Sequence, residues 1–112
     1  MAGSDIYSGT LDVLILKALA GGPMHGYAVG LWLRRHSGDV VDVKEGVLYP
    51  ALHRIQRKGW VTARWGETES GRRAKFYNLT PEGSRYLAEE APRLAEHSRA
   101  VLSLLRRSPG RP

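Results

Sequence analysis

Seven basic side chains crowd the stretch from Gly46 to Thr80: Arg54, Arg57, Lys58, Arg64, Arg72, Arg73 and Lys75. Only Glu67 and Glu69 oppose them there. The whole chain carries 17 Lys and Arg against 11 Asp and Glu, a net +6, so this third of it holds most of the surplus. Such groups bind polyanions. They displace counterions from phosphates, and an arginine can also meet a guanine edge with two hydrogen bonds. A solvated basic face is the plainer reading of a charge run. The order of a helix and then a hairpin along this stretch favours the sharper one.

Other chemistries find less support. No nucleophile motif and no paired-carboxylate constellation occurs, so an enzyme is not expected. There is no cysteine, which excludes disulfides and Cys-based zinc sites. His25, His36, His53 and His97 are dispersed, without HxH or HExxH spacing, so neither a metal nor another cofactor is expected. No apolar run approaches the roughly 20 residues of a membrane span, and a soluble, cytoplasmic protein without a membrane partner is the expectation.

The elements that must position these cations can be read from periodicity. Gly46–Gly59, GVLYPALHRIQRKG, is a short helix. At about 100° per residue, Leu48, Ala51, Leu52 and Ile55 share one side. Pro50, His53, Arg54 and Arg57 fall on the other, with Tyr49 on the flank. Pro50 falls in the first turn or just after it, where a missing N–H is tolerated, and Gly59 suits the C-terminal cap. Trp60–Trp65 and Lys75–Leu79 read as strands, joined by the turn ETESGRR at Glu67–Arg73.

Helix one is expected from about Gly9 to Ala20, with Ser8 or Thr10 as its cap. It is apolar on more than one side, so it needs a second neighbour. Helix two spans about Tyr27 to His36. Asp39–Val43 is a short strand or an extended link. Thr80-Pro81-Glu82 opens a fourth helix: a hydroxyl cap, a proline in the first position and an acid on the dipole. Running to about Arg107, it would reach about 40 Å at roughly 1.5 Å per residue. Leu87, Ala91, Leu94, Val101 and Leu105 lie on a heptad-like grid. Pro92 interrupts that grid and is expected to kink or split the helix.

The expected fold is mainly α with a small β-hairpin, a winged helix-turn-helix. Residues 1–8 form a flexible arm, 9–80 the DNA-binding domain, 81–107 a terminal dimerisation helix and 108–112 a disordered tail. The residues go further than the order of elements. His25-Gly26-Tyr27, Gly46, Leu48-Tyr49-Pro50-Ala51-Leu52, Arg54-Ile55 and Lys58-Gly59 are followed by Trp65, Gly71-Arg72, Lys75, Tyr77, Leu79-Thr80 and Gly83. Together they resemble the PadR family of bacterial transcriptional regulators, over about residues 8 to 88. The short C-terminal region resembles the smaller subfamily.

The resemblance implies a homodimer on double-stranded DNA, with helix three in a major groove and the wing on the adjacent backbone or minor groove. It implies a repressor of promoters, bound to an inverted repeat and released in some members by a small-molecule effector. Helix one, through Leu11 and Leu14, and helix four would make the dimer. The chain departs from the pattern at Val47, where a small hydroxyl residue is usual. Helix four also lacks the tryptophan with which some members stack a flat ligand.

On this reading Arg54 and Arg57 face a base edge, and His53 reaches a base edge or a phosphate. Tyr27 and Tyr49 serve either as phosphate donors or as amphipathic core residues. Lys58 meets DNA or simply the helix dipole. Arg72, Arg73 and Lys75 belong to the wing, and Lys44 and Arg64 are weaker contacts. Trp32, Trp60 and Trp65 read as core more readily than as a ligand pocket. The competing reading is a winged-helix protein–protein module without DNA binding, against which the outward arginines weigh.

Overall fold

The computed structural model describes residues 2–109, with side chains from Gly9 onward. The order is α1 (Ala2–Leu19), β1 (Met24–His25), α2 (Gly26–His36), α3 (Glu45–Arg57), β2 (Val61–Glu67), β3 (Arg73–Leu79) and α4 (Pro81–Leu105). The three strands form one antiparallel sheet in the order β1-β3-β2. This is a winged helix fold, with the hairpin β2–β3 as its wing.

The core gathers one face from every layer. Ile15, Leu16 and Leu19 of α1, Val29 of α2, Leu52 and Ile55 of α3 and Val61 of β2 are fully buried in it. Leu48, Ala51, Leu52 and Ile55 are buried together, as their spacing requires. Helix α3 ends in a Schellman motif. Gly59 is left-handed at φ 79°, its N–H bonds the Gln56 carbonyl at 3.0 Å, and the Trp60 N–H reaches the Ile55 carbonyl at 3.0 Å.

The fourth helix begins where Thr80 predicts. Its hydroxyl accepts the Gly83 N–H at 3.0 Å and donates to the Gly59 carbonyl at 2.7 Å, tying α4 to the end of α3. Gly83 is confined there. A Cβ on it would lie 2.1 Å from the Trp60 carbonyl oxygen, so only glycine lets the two backbones approach. Trp60 and Tyr86 then stack, with centroids 3.7 Å apart.

Several expectations are corrected. Helix α1 starts at Ala2, so residues 2–8 continue the helix rather than forming an arm, and neither Ser8 nor Thr10 stands at its start. No proline interrupts that stretch, so nothing in it stops the helix. Helix α4 runs on through Pro92, so the proline does not split it. Pro92 lies on an exposed side, where the carbonyl it leaves without an N–H partner can turn to water. Asp39 closes the turn after α2 in a left-handed conformation, residues 40–43 form a link without a strand partner, and the hairpin gains a third strand in β1. The wing strands run closer to the tip than expected, because Thr68 closes the turn itself. Its N–H donates to the Arg72 carbonyl at 2.8 Å and its hydroxyl accepts the Arg72 N–H at 3.2 Å. Of the tail expected at 108–112, residues 110–112 lie outside the described residues.

Candidate nucleic-acid interface

Helix α2 fixes the approach to α3. His25 is its N-cap, and the His25 Nδ1 accepts the Ala28 N–H at 3.2 Å. Gly26 follows, and a Cβ there would lie 2.6 Å from the Tyr49 ring. The glycine therefore lets the α3 tyrosine lie flat on the start of α2. Tyr49 is nonetheless partly exposed, and Tyr27 is 67% exposed.

Helix α3 presents Gly46, Tyr49, Pro50, His53 and Arg57 to solvent along one side. Lys44 is its N-cap, without a side-chain cap bond, and its ammonium lies 3.7 Å from Asp42 in an exposed pair. Such a pair is weak, so the lysine adds positive charge to the already positive end of the helix. Val47 is exposed in the first turn, where the family pattern has a hydroxyl. Lys58, at the other end, holds its ammonium 4.9 Å from the Trp60 ring centroid.

Arg54 does not join that exposed side, which corrects the expectation that it faces a base edge. It turns to α1 and forms a two-pronged ion pair with Asp12: Nε donates to Oδ2 at 3.1 Å and an Nη to Oδ1 at 2.6 Å. Asp12 is 3% exposed, the one buried charged residue among those described. The carboxylate raises the Arg54 pKa above its ordinary value, chiefly through the hydrogen bond, with burial acting the other way. The guanidinium thus remains charged, with two of its N–H groups held by Asp12. Arg54 stands at the boundary of the polar side of the wheel, from which a long side chain can swing either way. The signal that could have found the pair is Asp12 itself, an acid within the apolar run LDVLILKAL that needs a cation once buried.

The wing is differently built. Arg72 and Arg73 are exposed and Lys75 is half-buried along its stem. Trp65, paired with Lys75 across the strands, is 57% exposed and so is not the core residue its type suggests. Trp32 and Trp60, by contrast, pack against the core. The face of the sheet that carries Trp65, Glu67, Arg73 and Lys75 is the one whose base buries Val61 and Tyr77 in the core. Helix α3 and the wing thus both expose cations, Arg57 on the first and Arg72 and Arg73 on the second. Arg64 lies on the opposite face of β2.

The expected contact residues between subunits divide in two. Leu11, Leu14 and Leu87 pack against the core, and Ala91 and Leu94 are half-buried. Val101 and Leu105 are exposed with Leu102 and Leu104, on a helix that extends a molecule of 61 × 28 × 24 Å along its length. Between α1 and α4 lies a groove of about 240 Å³ lined by Val13, Tyr86, Glu90, Arg93, Leu94 and His97 among others. Among the described residues no cluster of His, Asp or Glu is arranged to hold a metal, and no helix is long and apolar enough to cross a membrane.

Comparison with known proteins gives one answer. The model of the transcriptional regulator PadR-like family matches residues 15–89, which span α2, α3 and the wing. A transcriptional regulator of Mycobacterium tuberculosis is 34% identical over 88 residues, covering 79% of this chain and 78% of its own. Among solved structures, a transcriptional regulator from Clostridium thermocellum is similar at a TM-score of 0.76 and 29% identity, over 93% of this chain and 97% of its own. A PadR family regulator from Eggerthella lenta is similar at a TM-score of 0.71 and 30% identity, over 96% and 99%.

Proposed function

This chain belongs to the PadR-like family of DNA-binding transcriptional regulators, and on that footing we propose that it is a repressor that binds an inverted-repeat operator as a homodimer. The observation that carries the reading is the exposed side of α3, where Gly46, Tyr49, Pro50, His53 and Arg57 face solvent, together with the exposed Arg72 and Arg73 of the wing. In each subunit α3 lies in a major groove. Arg57 and His53 address base edges, and Tyr27, Tyr49, Lys44 and Lys58 hold the flanking phosphates. Arg72, Arg73 and Lys75 carry the wing onto the neighbouring backbone. Arg54 is left out of this contact list, since its pair with Asp12 turns it towards α1.

The dimer closes through α4, whose exposed Val101, Leu102, Leu104 and Leu105 need an apolar partner. A second copy in two-fold relation supplies one and sets two recognition helices for the two half-sites. A small effector releasing the DNA would sit in the groove between α1 and α4, next to the pair that links α1 to α3. The site of action is the cytoplasm, where the DNA is.

The test is a gel shift of the full chain on DNA from upstream of its own gene, with sedimentation to give the mass. The expected result is a discrete band that survives competition by unrelated duplex and a particle of two subunits. Equal binding to every sequence would overturn the operator, and a monomer in both states would overturn the dimer. A rise in transcription when the protein is added would overturn the repressor.

A further inference from the structure

The aromatic residues of the sheet divide by partner. Trp60 stacks on Tyr86, Tyr77 is buried, and Phe76 meets His25 edge-on at 5.4 Å while lying over Gly66. The ring contacts of Trp65 are with cations instead. The Arg73 guanidinium carbon is 5.0 Å and the Lys75 ammonium 5.7 Å from its ring. Both lie within the range of cation–π attraction, which orients the charges without using their N–H donors.

We propose that Trp65, with Arg73 and Lys75, forms a duplex-gripping surface at the wing: the indole packs on sugar and base edges in the minor groove while the two cations flank it on phosphates. The proposal rests on the DNA-binding reading above and adds a contact residue to it. The inner face of the hairpin leaves the core at Ala63, beyond which Trp65 overhangs into solvent. A large apolar ring left more than half exposed between two positive charges suits a surface that is both anionic and partly apolar, as a sugar–phosphate groove is. A second copy of this chain, at net +6, is a poorer match in charge. The indole N–H adds one donor, and every base pair offers acceptors on its minor-groove edge. The contact is therefore tolerant of sequence and supports affinity more than specificity. Thr68 and Gly71, at φ 83°, hold the tip in its turn, so the platform is formed before DNA arrives.

Fluorine NMR of the protein labelled with fluorotryptophan tests this, because its three tryptophans give three signals. Trp65 is assigned by the signal lost in Trp65→Phe. Adding a short mixed-sequence duplex at low salt should move the Trp65 signal and shrink its solvent isotope shift, leaving Trp32 in place. Trp65→Ala should bind about tenfold more weakly with the salt dependence unchanged, since no charge is lost. Trp65→Phe should fall between the two.

A Trp65 signal that stays put while duplex is bound overturns the proposal, as does unchanged affinity in Trp65→Ala. A flattened salt dependence in that variant also overturns it, since the ring would then only prop the cations. Movement of the signal on diluting the DNA-free protein assigns the ring to a contact between copies and overturns it too. Should Trp65→Ala melt early, the wild-type fluorine shift decides alone. Wild-type protein that binds no duplex at any salt overturns the DNA reading itself, whereas binding with a silent Trp65 overturns only this inference.

Discussion

Helix α3 and the wing carry comparable positive charge, but the fold restrains them in different ways. Helix α3 is held from three directions: its apolar side is buried in the core, Arg54 is locked to Asp12, and its end is closed by a Schellman motif. The wing is anchored at its base by Val61 and Tyr77 and by the pairing of β1 with β3, where His25 meets Phe76, and towards the tip by its own ladder and the Thr68 turn. Reading bases requires donors placed within fractions of an ångström, and a helix fixed on three sides meets that demand. Gripping phosphates asks mainly for charge at the right distance, which a projecting hairpin supplies. One arginine that sequence places with the readers is thus used to aim them.

Removing that arginine should give the largest effect. Arg54→Ala leaves the Asp12 carboxylate buried without a partner, a loss of about 3–5 kcal/mol. Chemical denaturation should show it as a lower midpoint, a severe drop for a small domain. Replacing both residues by well-packed apolar side chains should restore most of the stability while specific DNA affinity stays impaired. Full recovery of specificity in the double variant would break the assignment of the pair as an aiming device. A flatter salt dependence in Arg54→Lys would mean that the side chain meets phosphate after all.

How this pair escaped the sequence is instructive. The wheel of α3 was legible because Leu48, Ala51, Leu52 and Ile55 repeat at helical spacing and the core obeys that period. The start of α4 was legible because cap, proline and acid act locally. Arg54 was not, because a long side chain at the edge of the wheel goes where its partner is, and Asp12 lies 42 positions away in the chain. Strand β1 was invisible for a similar reason. Two residues show no alternation, and Met24 and His25 are a strand only because β3 offers Tyr77 and Phe76 to pair with. Trp65 was misjudged because residue type says core while its register on the hairpin carries it past the core's edge. Pro92 misled in the other direction, since an exposed helix side tolerates the bond it removes.

The joint between the two regions should come next in magnitude. Gly83 lies against the Trp60 carbonyl, where α4 crosses the root of the wing. Gly83→Ala forces those backbones apart and should cost about 3 kcal/mol, at the upper end of overpacking effects. Thermal unfolding reads the loss. A wild-type melting temperature would mean that the root of the wing yields far more easily than the contact allows.

Arg57→Ala and Arg72→Ala then separate reader from grip. The first should weaken binding by about 1–3 kcal/mol and relax preference at one base pair. The second should weaken all sequences alike and lower the salt slope by about 1. A footprint and a salt titration on each variant suffice. The reverse pattern, with specificity lost in the wing and charge lost in α3, would exchange the roles of the two regions.

The smallest effect expected is alkaline. Burial, then the nearby charge of Tyr49, raises the Tyr77 pKa above the ordinary 10.0, and burial followed by Glu90 and Asp12 raises that of Tyr86. In both the neutral phenol is the favoured form, so the folded chain keeps these protons to higher pH than the unfolded chain does. The stability they contribute is therefore complete below about pH 10 and declines as pH rises through the folded values. Tyr77 belongs to the base of the wing, while Tyr86 lies near Asp12 beside the pair that aims α3. Melting curves of Tyr77→Phe and Tyr86→Phe taken across that range should each lose part of the decline. A hairpin that is the softer of the two regions should feel the Tyr77 phenolate first, so Tyr77→Phe should protect more than Tyr86→Phe. Greater protection from Tyr86→Phe would place the weaker packing at the α1–α4 contact, on the side of the molecule that the Asp12–Arg54 pair braces.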